Sequence, residues 1–229
     1  MSQIKNTEAP SSQRMLLSMT GIGTICALLI VLAYEGTLPR VKRLRAEALE
    51  QAIFKVLPTV AEIQPYLFDI NGMPTTEVQQ AAATLFVGYN ENREMIGIAI
   101  EAEGQGYADK IKVLYGYSPS AETIIGFYVL ETKETPGLGD KIEKNADFLD
   151  NFKKLDASIN SDKSGLSHNI ITVKSGEKGN PWEVDGITGA TISSRAVGTI
   201  LNESMDYWAP LIQRNLDLFN SPTKPSEDE

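Results

Sequence analysis

Residues 15–34, MLLSMTGIGTICALLIVLAY, contain no aspartate, glutamate, lysine or arginine, and no other feature constrains the chain as strongly. Twenty residues in a helix rise about 30 Å, the thickness of a bilayer's hydrocarbon core. A buried core helix is usually shorter and carries a polar stripe. A cleaved signal peptide is the stronger rival. The run is longer than a signal core, however, and no small-x-small cleavage site follows it. Thr24-Ile25-Cys26 lacks the small residues that a lipoprotein signal needs. The run therefore predicts an uncleaved, single-span membrane helix in which Cys26 faces lipid or a neighbouring helix. Its flanks decide orientation weakly. Lys5 and Arg14 precede it, while Arg40, Lys42, Arg43 and Arg45 follow it. Counted alone, these charges put the C-terminal part in the cytoplasm, by a margin that large domains override.

Composition narrows what the rest can do. One cysteine rules out a disulfide framework and a self-contained iron–sulfur cluster, and one histidine, His168, argues against a multi-histidine metal site. The net charge is −9, and from residue 51 onward 26 acidic residues face 15 basic ones. That balance opposes binding to nucleic acid, which needs clustered lysine and arginine. No acid–base or nucleophilic constellation is evident, so stand-alone catalysis is not expected. Chemistry here is expected to come from a cofactor or a partner.

The pattern divides the chain into a short cytoplasmic tail (1–14), the membrane helix (15–34), a helical stalk and linker (35–79), a folded domain (80–220) and a solvated tail (221–229). In the stalk, Val41, Leu44, Ala48, Ile53 and Leu57 recur at helical spacing until Pro58. ATLFVGY and MIGIAIEAEG, separated by Asn90-Glu91-Asn92-Arg93, read as a hairpin, and KIKVLYGY and TIIGFYVLET extend it into an antiparallel meander. Asp140 and Glu143 resemble a capping box opening a helix with Ile142, Ala146, Leu149, Phe152 and Leu155 inward. NIITVK is a further strand. A long helix starts near Ile192, with Pro210 as an interruption that begins a second segment ending near Phe219. Strands grouped apart from helices predict an α+β domain, an antiparallel sheet with packed helices.

Asp185-Gly186-Ile187-Thr188-Gly189-Ala190-Thr191, leading into that long helix, is the stretch that points to chemistry. Gly186 and Gly189 permit positive φ or close backbone approach. Thr191 stands where an N-cap would, beside free N–H groups and the positive end of the helix dipole, a setting that suits an anionic phosphate. Arg195, about one turn along, would add charge. Plain helix capping by Thr191 explains the same residues, and no GxGxxG or P-loop sharpens the choice.

Asp185, Thr188, Gly189, Ala190 and Thr191 match the D-x-x-[ST]-G-A-T pattern of proteins carrying covalent FMN. Glu134-Thr135-Pro136-Gly137-Leu138-Gly139-Asp140-Lys141-Ile142 matches a second block of the same proteins. From the membrane helix to about residue 205, the chain resembles the FMN-binding G subunit of the Rnf ion-translocating electron-transport complex. The resemblance implies FMN joined through a phosphoester to Thr191, by a flavin transferase that uses FAD and magnesium. An outside enzyme agrees with the residues, because a threonine hydroxyl without a base is a poor nucleophile. The flavin ring would still need an apolar wall, for which Tyr107, Thr135, Leu138 and Trp182 are the candidates; Asp185 is expected to orient the turn through an Asx hydrogen bond.

The resemblance further implies electron relay in a ferredoxin/NAD oxidoreductase complex coupled to Na+ or H+ movement. It implies other membrane subunits as partners, and a domain on the periplasmic side of the bacterial inner membrane. The C subunit of the Na+-translocating NADH:quinone reductase shares both blocks, but has Gly-Leu-Trp where this chain has Gly106-Tyr107-Ala108. A rival of another class is a membrane-anchored assembly protein with no redox role, in which Thr191 only caps its helix.

Overall fold

The computed structural model describes residues 12–220, so residues 1–11 of the expected cytoplasmic tail and the expected solvated tail at 221–229 lie outside the described residues. The chain forms two compact units, one ending at Glu47 and one beginning at Ala48.

The first unit is a stretch of α1 (Ser12–Val56), and its apolar window has no buried residue. Among the described residues this is the helix long and apolar enough to cross a membrane. Two of its hydroxyls bond back into the helix: Thr24 Oγ1 donates to the Thr20 carbonyl at 2.8 Å, and Thr37 Oγ1 to that of Ala33 at 2.8 Å. A hydroxyl satisfied within its own helix costs little in hydrocarbon. The expected division into membrane helix and stalk is not a break in structure, because α1 is continuous through both.

The second unit is built on a seven-stranded antiparallel sheet in the order β2-β1-β3-β4-β5-β6-β7. Its strands are β1 (Glu62–Phe68), β2 (Pro74–Thr75), β3 (Ala83–Tyr89), β4 (Met95–Gln105), β5 (Lys110–Ser118), β6 (Thr123–Glu131) and β7 (Leu155–Asp156). The expected hairpin and meander are β3 to β6. Alternation assigns their side chains to two clusters. Ile98, Ile100, Val113 and Tyr115 join the large core beneath α3 (Thr191–Arg214), while Ala99 and Leu114 meet Ala52, Ile53 and Val56 from the end of α1 and Leu57 just after it. The sheet is thus covered on both faces, and the last turns of α1 belong to the folded domain.

Four expectations are corrected. The domain begins at Ala48, not 80, and the supposed linker contains β1 and β2. Pro65 hides β1 in the sequence; β2 pairs only with Leu67 and Phe68, so the missing N–H of Pro65 faces an unpaired stretch of edge. Asp140 opens no helix, since its carboxylate accepts from Gly137 N–H at 2.7 Å and pairs with Lys144. Residues Gly139–Glu143 form a 3-10 turn, and Asn145 caps the short α2 (Ala146–Asp150) instead. Phe148 takes the buried position there and Ala146 is exposed, because Phe127, Phe148 and Phe152 pack as one aromatic group. Finally, α3 runs through Pro210 to Arg214, and the second segment, α4 (Leu216–Phe219), starts later. An interior proline costs a helix about 3 kcal/mol; here the burial of Trp208, Ala209, Pro210 and Ile212 offsets it.

Candidate functional site

Two short parallel strands, β8 (Ile171–Val173) and β9 (Glu183–Asp185), deliver the chain to the start of α3. The connecting turn is held from both sides. Gly186 N–H donates to the Val173 carbonyl at 3.1 Å, and Ser194 Oγ, one turn into the helix, accepts from Ile187 N–H at 3.4 Å. Gly189 has φ +82, a left-handed conformation that glycine adopts without a Cβ penalty.

Thr191 does not cap the helix. It is the first helical residue, Ala190 occupies the cap position, and no side chain there bonds the free N–H groups. The hydroxyl of Thr191 therefore stands exposed beside the positive end of a 24-residue helix. The Lys141 ammonium adds charge: it lies 3.6 Å from where a Cβ on Gly189 would sit.

The facing wall is the loop after β6. Glu134 is 5% exposed and joins three segments of chain. One carboxylate oxygen accepts from Ala108 N–H at 2.9 Å, and the other accepts the Ser193 hydroxyl at 2.5 Å. Gly106 and Gly139 leave the room for it. A Cβ at Gly106 would lie 2.5 Å from the Glu134 carboxylate, and one at Gly139 would lie 2.7 Å from Glu134 Cβ and 2.8 Å from Ser193 Oγ.

Between these walls is an open cleft of about 380 Å3, lined by Tyr107, Glu134, Thr135, Leu138, Gly139 and residues 189–193. That volume suits a small-molecule site. Tyr107, Leu138 and Ile192 are 66%, 53% and 56% exposed and give it an apolar rim. A second cleft of about 370 Å3 lies by Trp208 and residues 81–85, with the Lys112–Glu101 ion pair on its border, and none of the expected site residues lines it.

Six expected residues therefore meet at one cleft: Tyr107, Thr135, Leu138, Gly189, Ala190 and Thr191. Three do not line it. Trp182 stacks on the His168 ring, with centroids 3.9 Å apart and planes 7° from parallel. Asp185 forms no Asx turn; its carboxylate accepts from Gly176 N–H at 2.7 Å, while its backbone is held by the Asn151 side chain. Thr188 is exposed within the turn, outside the lining. Arg195 is exposed and also outside it. Glu134, Ser193 and Ile192 were missed. A glutamate beside Thr-Pro-Gly reads as a solvated loop residue, and its one sequence signal is that it opens the second matching block.

The surroundings are electrostatically settled. The Lys144 ammonium, with burial opposing and Gly137 N–H assisting, holds the Asp140 carboxyl below the usual range. Around β9, burial pushes the Lys178 ammonium down against the pull of Asp185 and Glu183. The Asn180 side chain, with the Gly179 and Asn180 N–H groups, holds the Glu183 carboxyl low. Among the described residues no group of three or more His, Cys, Asp or Glu side chains is arranged to hold a metal.

Comparison with known proteins falls on this same region. Residues 106–206 match the FMN-binding domain family. The chain is 29% identical over 194 residues to the G subunit of the ion-translocating oxidoreductase complex of Methanosarcina acetivorans, covering 85% of this chain and 93% of the relative. It is 30% identical over 185 residues to the protein of the same name from Cereibacter sphaeroides, covering 77% and 75%. Its fold is similar to the crystal structure of Shewanella oneidensis NqrC, with a TM-score of 0.59 at 18% identity over 78% of this chain and 98% of that one.

Proposed function

Because the chain belongs to the G-subunit family of ion-translocating oxidoreductase complexes, we propose that it is a membrane-anchored FMN carrier whose cofactor is esterified to Thr191. It relays electrons among the other subunits of an Rnf-type complex coupled to Na+ or H+ movement. One observation carries the attachment site: the Thr191 hydroxyl is exposed at the mouth of the cleft and is not used to cap its helix. The plain capping role that competed with it at the level of sequence has no support in the geometry.

The residues fit the group. A phosphoester on Thr191 would carry its negative charge beside the uncapped N–H groups of α3 and the Lys141 ammonium, both of which favour an anion. Tyr107, Leu138 and Ile192 offer the apolar surface that a flat aromatic ring needs. The cofactor supplies the electron-transfer chemistry; the protein fixes its position and surroundings. Covalent attachment keeps it at the site at high effective concentration.

The carboxylate that lines the cleft, Glu134, is engaged by Ser193 and Ala108 and is not hydrogen-bonded to the Thr191 hydroxyl. A separate flavin transferase is therefore part of the proposal. Residues 15–34 cross the membrane and the second unit lies on the periplasmic side. The assignment to the Rnf-type complex rather than to the C subunit of the NADH:quinone reductase follows the curated relatives, since the likeness to NqrC is one of fold.

The test is flavin fluorescence of the full chain in a denaturing gel after co-expression with a flavin transferase. The parent and Thr188→Ala should fluoresce, and Thr191→Ala should be dark. A fluorescent Thr191→Ala band, or a dark parent, overturns the assignment.

A further inference from the structure

Glu134 is a carboxylate inside the cleft with no ammonium or guanidinium paired to it among the described residues. Its carboxylate oxygens are met by the Ala108 N–H and the Ser193 hydroxyl. Burying an ionisable side chain at the floor of a binding cleft is costly unless it is well solvated by the protein, and a glutamine of the same shape would satisfy the same neighbours. Its amide oxygen accepts from Ala108 N–H, and its NH2 donates to Ser193 Oγ once that hydroxyl rotates. Shape and hydrogen bonding alone do not require a charge at this position.

We propose that Glu134 is a positioning residue whose charge tunes the cofactor: its buried carboxylate holds the walls of the cleft together and lowers the reduction potential of the flavin bound there. This rests on the proposal that FMN occupies the cleft. The physical basis is Coulombic. A fixed negative charge in a partly desolvated cleft opposes the arrival of an electron far more than it would in water, so the oxidised flavin is favoured. Gly106 and Gly139 serve the same end, because a side chain at either would expel the carboxylate.

The experiment compares the full-length chain with its Glu134→Gln variant, both loaded with FMN by a co-expressed flavin transferase. Each is titrated spectroelectrochemically at pH 8 with dithionite as the electron donor, so that flavin is reduced as dithionite is oxidised to sulfite. The expected result is equal flavin content in both proteins and a more positive potential in Glu134→Gln. Flavinylated proteins with the same potential, or a more negative one in the variant, overturn the inference alone, whereas a parent without flavin overturns both the cofactor assignment and this inference. Should Glu134→Gln not fold, Ser193→Ala replaces it. Loss of the hydroxyl that offsets the carboxylate should move the potential negative, and an unchanged or positive value contradicts the charge role.

Discussion

Gly116 and Gly126 face each other across β5 and β6, and both lie against the backbone of Val56 at the end of α1. A methyl group built on Gly126 would fall 2.5 Å from Val56 Cα and 2.7 Å from its carbonyl carbon, besides contacting the carbonyl oxygen. No rotamer change relieves a clash with backbone. Ordinary contact begins near 3.4 Å, so the helix end must retreat by about 1 Å in Gly126→Ala. A gap of that size forfeits a quarter to a half of the dispersion energy across the contact between Ala52, Ile53, Val56, Leu57 and the sheet. Overpacking a well-filled core typically costs about 1–3 kcal/mol, and a rigid neighbour puts this site at about 3. For a domain of this size that lowers Tm by roughly 6–12 °C. The assay is thermal unfolding of the full chain in detergent followed by tryptophan fluorescence, because both tryptophans, Trp182 and Trp208, lie in the second unit. Gly137→Ala is the control. Its φ is +80 but nothing lies within 4 Å, so it should cost only the left-handed strain of about 1–2 kcal/mol. If Gly126→Ala melts with the parent, or no lower than Gly137→Ala, the end of α1 is not seated on the sheet as described.

Two further outcomes follow. The Asn180 side chain and the Gly179 and Asn180 N–H groups hold the Glu183 carboxyl below the usual value. The stability it contributes is therefore fully present above the ordinary glutamate pKa of about 4.3 and is lost as pH falls through the depressed native value. Glu183→Gln, which does not titrate, should flatten the acid limb of the stability curve, and an acid limb identical to the parent's refutes this. Protease added to intact spheroplasts should digest the second unit, and complete protection refutes its placement on the periplasmic side.

The legible parts of this fold were those where one physical signal dominated. The apolar run was visible because nothing interrupts it, and β3 to β6 because apolar, β-branched and aromatic segments separated by polar turns fit a sheet covered on both faces. The parts that misled were places where one residue serves two demands. Pro65 disguised β1 because its tolerance depends on how short β2 is. Asp140 looked like a cap, yet Gly137 and Lys144 hold its carboxylate. Pro210 looked like a break, but burial of its neighbours outweighs its cost. At the cleft, the Gly-Ala-Thr turn and the Thr-Pro-Gly-Leu-Gly loop were both found, whereas Trp182, expected in the apolar wall, stacks on His168 instead, and Asp185, expected to make an Asx turn, accepts from Gly176 N–H. Glu134 escaped notice because burial of a charged loop residue depends on small neighbours, Gly106 and Gly139, brought together only by the fold.

Trypsin should release residues 179–195 as one peptide, which contains both Thr188 and Thr191. Fragment-ion mass spectrometry of that peptide, taken from protein purified from its native membrane, should locate the mass of one FMN less one water on Thr191. An unmodified peptide at full occupancy, or the adduct on any other residue, contradicts the account.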